Sequence, residues 1–137
     1  LEGIKDTLII DDSYNASPLS MQAALETLRD LPTAGRKIAV LGDMLELGKY
    51  SIEAHESIGK LAGGIADILI TVGPRGKFIA DAAEKSGLPK NRILTFDTAK
   101  EAAKELQELT RKGDLVLIKA SRAIGLDKVV EEIQEVS

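Results

Sequence analysis

Apolar positions along the chain come in two alternating patterns. Short continuous runs such as Thr7-Leu8-Ile9-Ile10, Lys37-Ile38-Ala39-Val40-Leu41, Ile68–Val72, Ile93–Phe96 and Leu115–Lys119 are rich in β-branched residues. Runs of this length without polar alternation suit strands of a sheet covered on both faces. Between them, apolar residues recur at helical spacing: Met21, Leu25, Leu28 and Leu31; Ile52, Ile58 and Leu61; Ala102, Leu106 and Leu109; Leu126, Val129, Val130 and Ile133. Punctuation supports the division. Ser17 with Pro18 starts the first helix and Pro32 ends it. Gly42-Asp43 and Gly73-Pro74 stop the second and third strands, Gly87 follows a helix from about Gly76 to Ser86, and Thr98 with Glu101 forms a capping-box pair.

Strand and helix therefore alternate five times with short connections. This predicts an α/β fold: a Rossmann-like, doubly wound, mostly parallel sheet of five to six strands with helices on both faces. Residues 1–137 read as a single domain, with no internal linker, repeat or low-complexity tract. The first strand is expected to end at Asp11-Asp12, and helices are expected at about Ser51–Leu61 and Gly125–Glu135.

Composition removes several chemistries. There is no Cys, so disulfides, thiol catalysis and Cys-ligated zinc are excluded, and one His makes a His-based metal site a poor reading. A net charge of −4 and only 3% aromatic residues argue against a nucleic-acid surface. No run approaches the roughly 20 apolar residues of a membrane span, and no signal-peptide pattern is present, so the expected location is the cytoplasm.

In open parallel sheets, ligands bind beyond the carboxyl ends of the strands. Here that edge gathers Asp11, Asp12, Ser13, Tyr14 and Asn15; Gly42, Asp43 and Glu46; Gly73, Arg75 and Lys77; and Lys119, Ser121 and Arg122. Carboxylates could orient a ribose, and Lys and Arg an anion. Plainer readings stand beside these. Asp11-Asp12 could end a strand and cap a helix, Tyr14 could pack on the edge, and the Gly-containing pairs could be turns. Glu46 could be a solvated loop carboxylate. His55 sits mid-helix with no evident partner, which favours a solvated or locally bonded ring over a catalytic one. Lys119, ending an apolar strand just before Ser121 and Arg122, leans toward function. No phosphate-cradling G-x-x-x-x-G-K-[ST] or G-x-G-x-x-G loop occurs, so the main triphosphate grip is not supplied here.

The same residues carry a resemblance. Asp11-Asp12-Ser13-Tyr14-Asn15-Ala16-Ser17-Pro18, with Ser20-Met21 and Ala23-Ala24-Leu25, resembles the D-D-S-Y-N-A-N-P-x-S-M-x-A-A-L signature of the Mur ligases that add D-alanyl-D-alanine. Gly42-Asp43-Met44-Leu45-Glu46-Leu47-Gly48 resembles that family's G-D-M-x-E-L-G, His55 falls where its downstream His lies, and Lys119-Ala120-Ser121-Arg122-Ala123 resembles its K-G-S-R-x-M. Ser17 and Ala120 depart from the pattern, standing for Asn and Gly.

The resemblance covers essentially the whole chain and implies the C-terminal domain of a three-domain peptidoglycan ligase. An N-terminal domain holding the UDP-sugar and a central P-loop domain holding ATP and magnesium would precede Leu1. That enzyme activates a carboxylate of UDP-N-acetylmuramoyl-tripeptide as an acyl phosphate, and the amine of D-alanyl-D-alanine displaces phosphate. The domain would bring binding residues but no catalytic residue and no metal ligand, so alone it is expected to be inactive. Asp12, Tyr14 and Asn15 are implied on the nucleotide side. Lys119, Ser121 and Arg122 are implied at the substrate's peptide end or the dipeptide carboxylate. Two other readings remain: a receiver-type signalling domain, prompted by Asp11-Asp12 and Lys119 but lacking an Asp after the third strand, and a non-catalytic interaction domain of doubly wound fold.

Overall fold

In a computed structural model of the chain, residues 8–12, 17–45 and 47–119 are described, with the side chains of 8–12 left aside. Nine main elements alternate: β1 (Leu8–Asp12), α1 (Pro18–Asp30), β2 (Lys37–Gly42), α2 (Ser51–Gly63), β3 (Ile68–Val72), α3 (Gly76–Lys85), β4 (Ile93–Phe96), α4 (Ala99–Leu109) and β5 (Leu115–Lys119). Short 3₁₀ turns, Gly48–Tyr50 and Lys90–Arg92, lead into α2 and β4. The helix expected at Gly125–Glu135 lies outside the described residues.

Local chemistry accounts for most boundaries. The Ser17 hydroxyl accepts the Ser20 N–H at 3.1 Å, and the Ser20 hydroxyl accepts the Ser17 N–H at 2.8 Å, a reciprocal capping box with Pro18 just inside. At α4 only half of the expected box forms. The Thr98 hydroxyl accepts the Glu101 N–H, but Glu101 turns its carboxylate onto that hydroxyl at 2.9 Å rather than onto the Thr98 backbone. β1 ends at Asp11-Asp12, as the sequence pattern predicts, and includes both aspartates. Its ladder with β5 continues as Asp11↔Ile118 and Asp12↔Lys119, and backbone pairing is indifferent to side-chain polarity.

All four strand pairings are parallel, in the order β1-β5-β2-β3-β4. The chain advances in one direction from β1 to β4, then reverses to insert β5 between β1 and β2. Right-handed crossovers place helices of opposite travel on opposite faces. Accordingly α1, α2 and α3 cover one face, and α4 packs on the other. Strand residues sort by alternation. Ala39, Leu41, Leu69, Leu115 and Leu117 pack beneath α1–α3, while Ile38, Val40, Ile70, Val116 and Ile118 pack on the α4 side. All ten are almost completely buried. Each such Leu or Ile contributes about 2 kcal/mol of transfer free energy, enough to make an aliphatic core sufficient.

The tightest helix contact is between α2 and α3. A Cβ at Gly59 would run into the Ile79 carbonyl, and one at Gly63 would lie 2.8 Å from the Ala83 carbonyl oxygen. Glycine at these helix positions, about 1 kcal/mol worse than Ala in isolation, is retained because the neighbouring backbone occupies the space.

Candidate functional site at the carboxyl edge

The topology brings the ends of β1, β5 and β2 side by side. Asp12 is the register partner of Lys119, and Lys119 is also the partner of Leu41. Residues 107 positions apart thus become backbone neighbours at the edge where parallel sheets bind ligands. Alternation along β5 places Lys119 on the same face as Leu115 and Leu117, beneath α1–α3. Its side chain is only 1% exposed and engaged in an interaction, so the ammonium does not dangle into solvent. Tyr14, Asn15, Ser121, Arg122 and Glu46 lie outside the described residues.

The next two loops of this edge are joined by polar contacts. Asp43, just after β2, is fully buried. Its carboxylate accepts the Arg75 N–H at 3.0 and 3.3 Å and the Arg75 guanidinium at 3.2 Å. The Arg75 side chain remains 43% exposed. Between them Gly73 takes φ +108°, and a Cβ there would lie 2.8 Å from the Asp43 carboxylate carbon. The positive φ and the close approach both demand glycine. Gly42-Asp43 and Gly73-Pro74 are therefore more than turn punctuation: they are two halves of one contact.

His55 is completely buried. Its Nε2 accepts the Met44 N–H at 3.0 Å, and its Nδ1 lies 2.6 Å from the Ser51 carbonyl oxygen. The locally bonded reading holds and the solvated one does not. The sequence concealed the Met44 partner because it lies in a loop, across the 3₁₀ turn. Lys77 is exposed, 5.2 Å from the Phe78 ring centroid, and borders a cleft of about 310 Å³ with Gly73, Phe96 and Asp97. This cleft lies where β3 and β4 send their chains to opposite faces.

Larger is not closer to the chemistry. A cavity of about 620 Å³, bordered by Arg36, Asp67, Arg92, Glu105 and Arg111, lies at the amino ends of β2–β4, across the sheet from the candidate site. Among the described residues no group of three or more His, Asp or Glu converges as metal ligands. No helix among them is long and apolar enough to cross a membrane.

The receiver alternative fails on topology as well as sequence. Receivers order their strands 2-1-3-4-5, with β1 beside β2; here the described strands order β1-β5-β2-β3-β4, with β5 between β1 and β2. What the fold and this edge define is a doubly wound parallel α/β domain, with no phosphate-loop motif in its sequence. The sequence profile of the Mur ligase, glutamate ligase domain matches residues 1–122, and the chain belongs to that family.

Its relatives are narrower. The chain is 40% identical over 128 residues to the UDP-N-acetylmuramoyl-tripeptide–D-alanyl-D-alanine ligase of Bacillus subtilis, covering 93% of this chain and 28% of that protein. The enzyme of the same name from Escherichia coli is 33% identical, with 96% and 28% covered. Among solved structures, MurF ligase from Thermotoga maritima in complex with ADP superimposes with a TM-score of 0.79 at 33% identity, over 99% of this chain and 30% of that one. MurF from Acinetobacter baumannii does so with a TM-score of 0.81 at 30% identity, covering 94% and 28%. The chain thus spans a little over a quarter of the length of these relatives.

Proposed function

We propose that this chain is the C-terminal domain of an ATP-dependent ligase that joins D-alanyl-D-alanine to UDP-N-acetylmuramoyl-tripeptide in the cytoplasm during peptidoglycan synthesis. The carrying observation is the 40% identity across 93% of the chain to an enzyme of that name. The juxtaposition of Asp12 with Lys119 at the ligand-binding edge agrees with it.

In this reading, a free carboxylate, a poor acyl donor, attacks the terminal phosphorus of ATP. ADP leaves and an acyl phosphate forms. The dipeptide amine then attacks the acyl carbon, losing a proton as phosphate departs. This domain closes over the site, holds the reactants in line and excludes water from the acyl phosphate. Asp12, with Tyr14 and Asn15, contacts the nucleotide; Asp12 serves the ribose hydroxyls. Lys119, Ser121 and Arg122 receive the peptide end of the sugar nucleotide or the dipeptide carboxylate. Magnesium and the triphosphate are held chiefly by the central P-loop domain, and an N-terminal domain holds the UDP-sugar.

Measured amide formation tests the proposal. The whole enzyme carrying this domain should consume ATP and D-alanyl-D-alanine stoichiometrically, and the 137-residue chain alone should not. Asp12→Ala in the whole enzyme should raise the KM for ATP or lower turnover with the domain still folded. Amide formation by this chain alone, or unchanged kinetics in Asp12→Ala, would overturn the assignment of roles.

A further inference from the structure

We infer that His55 is a positioning residue: through Met44 and Asp43 it fixes the β2–α2 and β3–α3 loops as one unit at the carboxyl edge. Its protonation state follows from its partners. A carbonyl oxygen can only accept, so the ring nitrogen 2.6 Å from the Ser51 carbonyl must carry the proton and donate it. Nε2 then has a free lone pair, which receives the Met44 N–H at 3.0 Å. The Ser51 hydroxyl, 3.5 Å from Nδ1, adds little.

From Met44 the chain of contacts continues. The Met44 side chain is buried in the core beneath α1–α3, so the residue is held by backbone and side chain together. Its neighbour Asp43 grips Arg75 by both backbone and guanidinium. One helix, α2, therefore governs the position of two loops, of which the second belongs to the following β-α unit.

Packing alone does not call for a histidine. Ile58, Gly59 and Ala62 already bury α2, and an apolar side chain at 55 would fill the space without desolvating two ring nitrogens. What an apolar residue could not do is accept the Met44 N–H. That amide would be left as a buried orphan, and the loop would relax to find water for it.

Two substitutions separate the clamp from a merely helical role. In His55→Gln, Oε1 reaches the place of Nε2 and can still accept the Met44 N–H. In His55→Asn, the shorter amide reaches only the place of Nδ1 and can serve Ser51 alone. Amide hydrogen exchange in the 137-residue chain should show Met44 exchanging about tenfold faster in His55→Asn than in His55→Gln, the effect of one lost hydrogen bond. Arg75 should follow in the same direction, while amides within α2 stay equal. Equal Met44 exchange in the two variants would overturn the clamp. Should both variants fail to fold, Asp43→Ala with His55 intact, which removes both acceptor oxygens, is read instead at the Arg75 amide: faster exchange supports the link between the loops, and unchanged exchange overturns it.

The positioning role rests on the ligase reading and has its own measurement. In the whole enzyme His55→Asn should lower kcat by about tenfold relative to His55→Gln, with the KM for the UDP-sugar unchanged. Equal kcat for the two overturns the positioning role. A whole enzyme that forms no amide in its unsubstituted form overturns the ligase reading, and leaves the exchange result to decide the clamp.

Discussion

Each edge of the sheet holds a buried aspartate gripped by an arginine, and the two pairs are built differently. At the amino edge, Asp114 accepts the Arg36 N–H at 3.0 Å, its Nε at 3.3 Å, its Nη2 at 2.7 Å and the Arg111 N–H at 2.8 Å. The Arg36 guanidinium also donates to the Leu109 carbonyl at 2.6 Å. At the carboxyl edge, Asp43 accepts the Arg75 N–H and guanidinium, and the Arg75 side chain is 43% exposed against 26% for Arg36. The first pair is saturated and sews the start of β2 to the start of β5 and the end of α4. The second joins two loops and leaves part of a guanidinium facing outward. Saturation serves stability; the open pair keeps the two loops together at the carboxyl edge.

Removing the saturated carboxylate should have the largest effect. Asp114→Ala strands two backbone N–H groups and a partly buried guanidinium, so we expect a loss of about 3 kcal/mol, read as a lower denaturant midpoint with unchanged slope. A loss below that seen for Asp43→Ala would reverse the ranking of the two edges.

Gly73→Ala should come next, at about 2 kcal/mol, from the positive φ and the collision with Asp43. Because the collision is with the clamp itself, Asp43→Ala in the same chain should recover part of that loss. Strict additivity of the two changes would show that they do not meet.

Arg75→Ala should be mildest, about 1 kcal/mol or less, since the backbone N–H at 75 still serves Asp43 and the ion pair is half in water. A loss as large as that of Asp114→Ala would make the carboxyl-edge pair a structural staple.

Acid sharpens the same contrast. Burial pushes the Asp114 carboxyl up, but the Arg36 guanidinium hydrogen bond, the Arg36 and Arg111 N–H groups and the Arg36 charge together outweigh it and hold it below the usual value. A group depressed in the folded state gives stability that is complete above its unfolded pKa, roughly 3.9, and lost as pH falls toward the folded value. Stability of the parent chain should therefore decline below about pH 4, and Asp114→Asn should flatten that limb. An identical acid limb in the variant would remove Asp114 as its source.

Much of this architecture was legible before any coordinates. β3, β4 and β5 begin and end where their apolar runs do, and Ser17-Pro18 marks the start of α1. These features depend on residues within a few positions of one another. The long match around Asp12 pointed to the family for a related reason, since contiguous motifs survive in the linear order. The roles of Asp43 and His55 were not legible. Asp43 meets a residue 32 positions away, and His55 meets a backbone amide rather than a recognisable side chain.

By itself, then, the sequence determined the alternation of strands and helices, the aliphatic core and the family, because periodicity, caps and motifs are local properties. Only the tertiary structure decided that β5 enters between β1 and β2, that Lys119 stands beside Asp12, and that α2 holds two loops through one imidazole. Strand order rests on backbone hydrogen bonds that any residue can make, so nothing in the side chains announces it.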